Sequence, residues 1–333
     1  MKKILHNLLP AFLLALCALR FAPCICYAAT LQVASSLSKP FTEAILQGYQ
    51  NTTGITFDVT YITPGTFTER LNWLYRKKID CIIGPNQEEF YVANHYNMLM
   101  PYASEQLFEI PQELQIKKNW WTNIWVDYIA FLSNKDKLEK LGIYAPDSWL
   151  GLLNPQLKND IVVGDYETSK TTYSGIISLW QMQGEAASLN YAHHWNRHKV
   201  KFVKDDTDAL EEVVRGKKAL TFAPLSIALS LEKQNQQLYV TIPQDANKYL
   251  FVGAAIMKSS QQEQLARQFI DYLLSDAFIS YIDGVSPYSL WHVKNFEDNE
   301  QRRAIIGDTK IAADDLGWSA ITKKEILKQW KKA

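Results

Sequence analysis

Between residues 31 and 84 the hydrophobic period switches back and forth, and this constrains the fold more than any other feature. "LQVASS" (31–36) reads as a short strand. Phe41, Ile45 and Tyr49 then recur at helical spacing, and Gly54 stops that helix. "TFDVTYI" (56–62) alternates as a strand, and "TFTERLNWLYRKK" follows as a helix, with Thr66 and Glu69 in capping-box spacing. "IDCIIG" (79–84) is a third strand. Strands joined through helices cannot pair as hairpins, so this order implies a parallel sheet and an α/β fold.

A second αβ region runs from about 123 to 243. It contains the strand "DIVVGD" (160–165), a hydroxyl-rich helix, "VKFV" (200–203) and the helix "TDALEEVVR", stopped by Gly216. The strand "ALTFA" (219–223), a helix from Pro224 and the returning strand "LYVTIP" (238–243) follow. "YLFVGAAIM" (249–257) is continuously apolar, as a strand buried on both faces should be. A long helix comes next, with Leu265, Phe269, Tyr272 and Leu273 on one face, and the basic "ITKKEILKQWKKA" closes the chain. Its lysine-rich end suits the helix dipole and reads as a solvated cap.

The first residues read differently. Lys2 and Lys3 precede the mostly apolar run Leu8 to Leu19, and Cys26-Tyr27-Ala28 makes a small-residue exit. Residues 1–28 therefore read as a secretory signal, cleaved near Ala28, which predicts a soluble periplasmic protein. Cys17, Cys24 and Cys26 leave with it, so Cys81 stands alone and no internal disulfide is expected. The 333-residue chain has 35 basic and 35 acidic residues; Lys2, Lys3 and Arg20 fall in the leader, leaving 32 basic residues. That balance carries no electrostatic footprint for nucleic acid.

Several blocks, taken in order, resemble a known family. They are "LQVASS…FTEAILQGYQNTTGITFDVTYI", "TPGTFTERL", "IDCIIGPNQEEF", "YIAFLSNKDKLEKLGIYAPDSWLGLLNPQLKNDIVVGD" and "YLFVGAAIMKSSQQEQLARQFIDYLLS". Together they cover nearly the whole mature chain. The chain resembles the solute-binding proteins of ABC importers, in the branch with ferric-iron, phosphoglycerate, hexose-phosphate and aminoethylphosphonate binders. The resemblance implies a type II periplasmic-binding-protein fold: two Rossmann-like lobes with mixed sheets, joined by crossing hinge strands. Residues 29–122 plus 244–333 would form lobe one, and 123–243 lobe two. It implies a monomer that binds a small-molecule solute and meets an inner-membrane ABC permease transiently, with no cofactor, no metal and no catalysis. A sensor role beside a membrane kinase is the alternative that the sequence leaves equally open.

Ligands of open α/β sheets sit at strand carboxyl ends, beside helix N-termini. An anion fits a helix N-terminus without any basic side chain. "DYETSKTTYSGIISLW" (165–180) crowds seven hydroxyls into Tyr166–Ser174, more than one cap needs. Thr168, Ser169, Thr171 and Thr172 are thus candidate contacts for a phosphate- or phosphonate-bearing solute. The family commonly reads Ser-Gly-Thr here; Lys170 stands in place of that glycine, which puts close backbone approach in doubt and offers a cation. Ser35 and Ser36 end the first strand, with Ser38 or Lys39 as the alternative helix caps. Gly65 and Thr66, Gly84 and Asn86, and Ser226 occupy equivalent turns. Tyr288, in "GVSPYSLWHV", reads either as a cleft residue or as a packed loop aromatic. Trp120 and Trp121 read as core or hinge packing rather than sugar stacking. Asp165 and Glu167 leave room for a polyamine or a zwitterion.

Three rivals are weaker on their chemistry. Iron binders of this branch generally present a tyrosine pair after the lobe-two strand, and "LTFAPLSIALSL" (220–231) has none. His193, His194 and His198 have no carboxylate or cysteine nearby to complete a metal set. An enzyme would need Cys81 as nucleophile, yet it sits among apolar residues in "IDCII".

Overall fold

The structure, a computed structural model, describes residues 29–63, 65–285, 291–296, 300–313 and 315–333. The leader and Tyr288 therefore lie outside the described residues. Strands β1 (Thr30–Ser35), β2 (Thr56–Tyr61) and β3 (Cys81–Ile83) alternate with helices α1 (Lys39–Thr53) and α2 (Phe67–Arg76). β1 pairs in parallel with β2 on one side and β3 on the other, as the periodicity predicts. Leu31, Val33, Cys81 and Ile83 face one core, while Ala34 and Ile82 face another, so both sides of this sheet are buried.

Helix α3 (Gln87–His95) and the two-residue β4 (Leu99–Met100) lead to β5 (Thr122–Asn134). β5 is thirteen residues long and buried throughout. At about 3.4 Å per residue it spans roughly 40 Å, enough to run through both lobes. Ile124, Val126, Tyr128, Ala130 and Leu132 enter one core, and Ile129 and Phe131 the opposite one. Its polar members interrupt the apolar run that marks a buried strand, and nothing in the sequence singled it out as an element.

After α4 (Lys135–Leu141), the second lobe is built from β6 (Val162–Gly164), α5 (Lys170–Gln183), α6 (Glu185–Arg197), β7 (Lys201–Val203), α7 (Asp206–Val214), β8 (Leu220–Pro224), α8 (Leu225–Gln234) and β9 (Leu238–Thr241). β6 and β7 pair in parallel, and β8 and β9 each pair antiparallel to β5. Trp149 anchors this core edge-on to Phe131 and Phe222, with its indole N–H donated to Ala246 O at 2.7 Å. β10 (Tyr249–Met257) then returns antiparallel to β5 and continues along β3 and β4. The main sheet therefore runs β2-β1-β3-β10-β5-β8, and β5 and β10 are the strands that cross between lobes.

Four helices complete the described chain: α9 (Glu263–Leu273), α10 (Asp276–Val285), α11 (Glu300–Ile306) and α12 (Leu316–Lys332). α12 is longer than its basic tail suggested; Lys331 and Lys332 are exposed, but the helix also carries core residues. Leu316 packs on the core around Phe67 and Phe90, whereas Ile326, Leu327 and Trp330 enter the core around Trp149. The final helix thus rests on both lobes. Among the described residues no helix is long and apolar enough to cross a membrane.

Candidate functional site

The loops at the carboxyl ends of β1 and β3 meet the start of α5. Ser36 N–H donates to Ile83 O at 3.1 Å, and Gly84 N–H donates to Gly253 O at 2.9 Å. The first bond ties the β1 loop to β3, and the second ties the Gly84 loop to the crossing strand β10. Gly84 adopts φ +103°, and a Cβ there would lie 2.7 Å from Ser36 Oγ. Only glycine takes that backbone and leaves the serine room.

Asn86 caps α3 in a full capping box: its side chain accepts from Glu89 N at 2.9 Å, and its own N–H donates to Glu89 Oε2 at 3.0 Å. The expected box at Thr66 and Glu69 does not form. Thr66 instead donates its hydroxyl to Thr63 O at 2.8 Å and makes no side-chain cap bond. Asn86→Ala should cost about 1 kcal/mol in urea unfolding, the usual cost of a lost N-cap.

From the other lobe, Ser169 caps α5 by accepting from Thr172 N at 3.0 Å. Its hydroxyl also donates to Asp206 Oδ1 at 2.5 Å, and Thr171 bonds the same carboxylate. Burial pushes the Asp206 carboxyl above its usual range, against the pull of these two hydroxyls. Thr168 spends its hydroxyl on the carbonyls of Asp165 and Lys204. Two of the crowded hydroxyls, those of Ser169 and Thr171, therefore seat a carboxylate of their own lobe.

Besides the contacts of α12, the lobes meet at Gly65 and at Lys170. A Cβ on Gly65 would lie 2.6 Å from Thr168 O and 3.0 Å from Thr168 Cα. Lys170 reaches across, with Nζ 2.9 Å from Glu89 Oε2 and 3.1 Å from Gly84 O. Ser36, Gly65, Gly84 and Asn86 are thus brought to the same interlobe seam as Thr168 and Lys170, with Ser169 and Thr171 beside them, whereas Thr172 lines a small cavity with Trp149, Tyr191 and Trp330. Ser35 is turned inward, its hydroxyl 2.7 Å from that of Thr42. Ser226 donates to Asp127 Oδ2 at 2.5 Å, inside the crossing strand. Ser38 caps α1 with no side-chain bond.

Sequence reasoning missed the charged frame of this seam. Glu88 accepts from Lys248 at 3.4 Å, and Lys323 of α12 donates to Glu167 O at 3.0 Å. Burial lowers the affinity of Lys323 for its proton, and Glu89 and Glu88 oppose that. Glu89 was legible as the fourth residue of "NQEE", an N-cap spacing directly after a strand. Asp206 was legible by the strand-end rule that singled out the serines.

Trp121 is buried and stacks on Phe90 with centroids 5.9 Å apart, which is core packing. Cys81 is buried, and desolvation pushes its thiol well above the usual range, where it stays protonated. Among the described residues no three His, Cys, Asp or Glu side chains converge as a metal site. His193 and His194 bond instead to the carbonyls of Ala333 and Asn190.

A mixed sheet carried through two lobes by β5 and β10, with helix N-termini meeting at the seam, is the type II periplasmic-binding fold. Within that class the chain belongs to the family of bacterial extracellular solute-binding proteins, whose sequence pattern matches residues 29–280. The periplasmic binding protein AfuA from Actinobacillus pleuropneumoniae, solved with fructose-6-phosphate, superposes with TM-score 0.79 at 20% identity, covering 91% of this chain and 98% of AfuA. Iron-bound HitA from Pseudomonas aeruginosa gives 0.74 at 17%, covering 91% and 99%. At these identities the likeness speaks for fold alone. An uncharacterised protein of Haemophilus influenzae is 24% identical over 189 residues, covering 55% of this chain and 54% of that protein's length. The chain therefore spans about half of that relative.

Proposed function

We propose that this protein is the extracytoplasmic binding component of an ABC importer, and that it captures a small phosphate- or phosphonate-bearing solute between its lobes. Binding drives closure, and an inner-membrane permease recognises the closed form. No reaction is catalysed. The observation that carries the reading is Lys170, a cation at the first turn of α5 that faces the Gly84 loop of the other lobe. The first N–H groups of a helix have no intrahelical partner, and the dipole there favours an anion. A lysine at the same spot adds a full positive charge to that helix N-terminus. AfuA, of the same fold, is described with a sugar phosphate bound, which agrees with this class of solute.

A thermal-shift panel on refolded, ligand-stripped protein tests the reading. Glucose 6-phosphate, 3-phosphoglycerate, aminoethylphosphonate, inorganic phosphate, ferric citrate and spermidine would be compared. A true ligand at 100 times its dissociation constant should add about 2.7 kcal/mol of stability. Phosphorylated or phosphonate compounds should produce that shift, and Lys170→Met should remove most of it. A shift with ferric citrate alone would overturn the anion reading.

A further inference from the structure

We infer that the solute is a zwitterion, with a hydrogen-bond-donating ammonium set against Glu89 beside the anion held by Lys170. This rests on the anionic-solute reading above and narrows it. Glu89 is only 9% exposed, and its Oε1 has no hydrogen-bond partner. Ser36, 6% exposed, also has an unpartnered hydroxyl, and it lies against Gly84 Cα in the same loop cluster. Two buried, unpartnered polar atoms at one seam are uncommon, because each forgoes its bonds to water. Glu89 Oε1 can only accept, so what it lacks is a donor.

The neighbouring charged groups make their hydrogen bonds elsewhere, although the charge of Lys323 acts on Glu89 from a distance. Lys323 donates to Glu167 O, Lys248 pairs with Glu88, and Asp206 already accepts from Ser169 and Thr171. Glu89 therefore depends on Lys170, together with the N–H of Asn86. A solute offering only an anion would draw Lys170 from Glu89 and leave a buried carboxylate with no cation bonded to it, only the more distant charge of Lys323. Removing one partner of a buried ion pair is strongly unfavourable. A solute carrying both charges replaces the pair on each side: its anion takes Lys170, and its ammonium takes Glu89. The Lys170–Glu89 bridge is then the internal stand-in for such a solute.

The test compares O-phosphoethanolamine with ethyl phosphate, which differ by the amine, using titration calorimetry on the full mature protein. Wild type should bind the amine compound at least 10-fold tighter. Glu89→Gln should bring the two to within about 3-fold of each other, with a cooperative melt as the folding control. Lys170→Met should weaken both probes while keeping their ratio. Equal binding in wild type, or a ratio that survives Glu89→Gln, overturns the inference and leaves the phosphate reading standing. Binding of neither probe overturns both.

Discussion

Gly65→Val is expected to weaken solute binding by about 100-fold or more while leaving a folded protein. Gly65 has φ +79°, and its Cα faces the backbone of Thr168 across the interlobe seam. A Cβ at 2.6 Å from a carbonyl oxygen cannot be relieved by a rotamer change, because the opposing atoms are main chain. The clash exists only when the lobes meet. A penalty of about 2.8 kcal/mol on the closed state lowers apparent affinity 100-fold, since affinity scales with the fraction that can close. The left-handed backbone adds about 1–2 kcal/mol of strain for a β-carbon residue in either state. Gly65→Asn separates the two effects, because asparagine tolerates that backbone yet carries the same Cβ. Both variants should lose affinity for whichever compound shifts the melt, and small-angle scattering should show both more extended than wild type without solute. Unchanged affinity in both would mean that the Gly65–Thr168 contact does not belong to the solute-bound form.

The same contact shows what a sequence can and cannot convey. Strands β1 to β3 and the helices between them were legible because each changes its period at a glycine or a capping position. β10 was legible to its end residues because a nine-residue apolar run leaves little else to be. β5 was not, since Thr122, Asn123, Asp127, Ser133 and Asn134 interrupt its pattern while all are buried. Their reasons are tertiary. Asn123 donates to Leu114 O, Asn134 to Val213 O, and Asp127 accepts from the start of α8. The site divides the same way. The strand-end rule located Ser36, Gly65, Gly84 and Ser169, but a hydroxyl's choice of partner is settled by what folds beside it. Ser35 finds Thr42, Ser226 finds Asp127, and Ser169 finds Asp206. The direction of Lys170 depends on a lobe that the local sequence does not contain.

The slope of stability against pH should change in two single variants, with opposite signs relative to the wild type. Burial pushes the Asp127 carboxyl from 3.8 up to about 6, although Ser226, Tyr128 and Leu225 all donate to it. The folded state therefore holds the proton more tightly than the unfolded state. Stability from this group is complete below pH 4 and lost as pH rises through 6, roughly 3 kcal/mol in all at 1.36 kcal/mol per unit. Asp206, also raised by burial, slopes the same way. His292 does the reverse. Burial lowers it from 6.5 to about 4, and its ring spans Leu273 O at 2.9 Å and Lys294 N at 3.2 Å. Those partners need one donor and one acceptor, which is the neutral ring. Its contribution is complete above about pH 6.5 and lost as pH falls toward 4, again roughly 3 kcal/mol. Urea unfolding at half-unit steps from pH 4 to 7.5 reads both. Asp127→Asn removes one falling slope, so its stability relative to the wild type should climb with pH across 4 to 6.5. His292→Gln keeps a donor for Leu273 O and removes the rising slope, so its stability relative to the wild type should fall across the same window. If either variant tracks the wild-type curve at a constant offset, that group does not change its protonation on folding, and the burial argument for it fails.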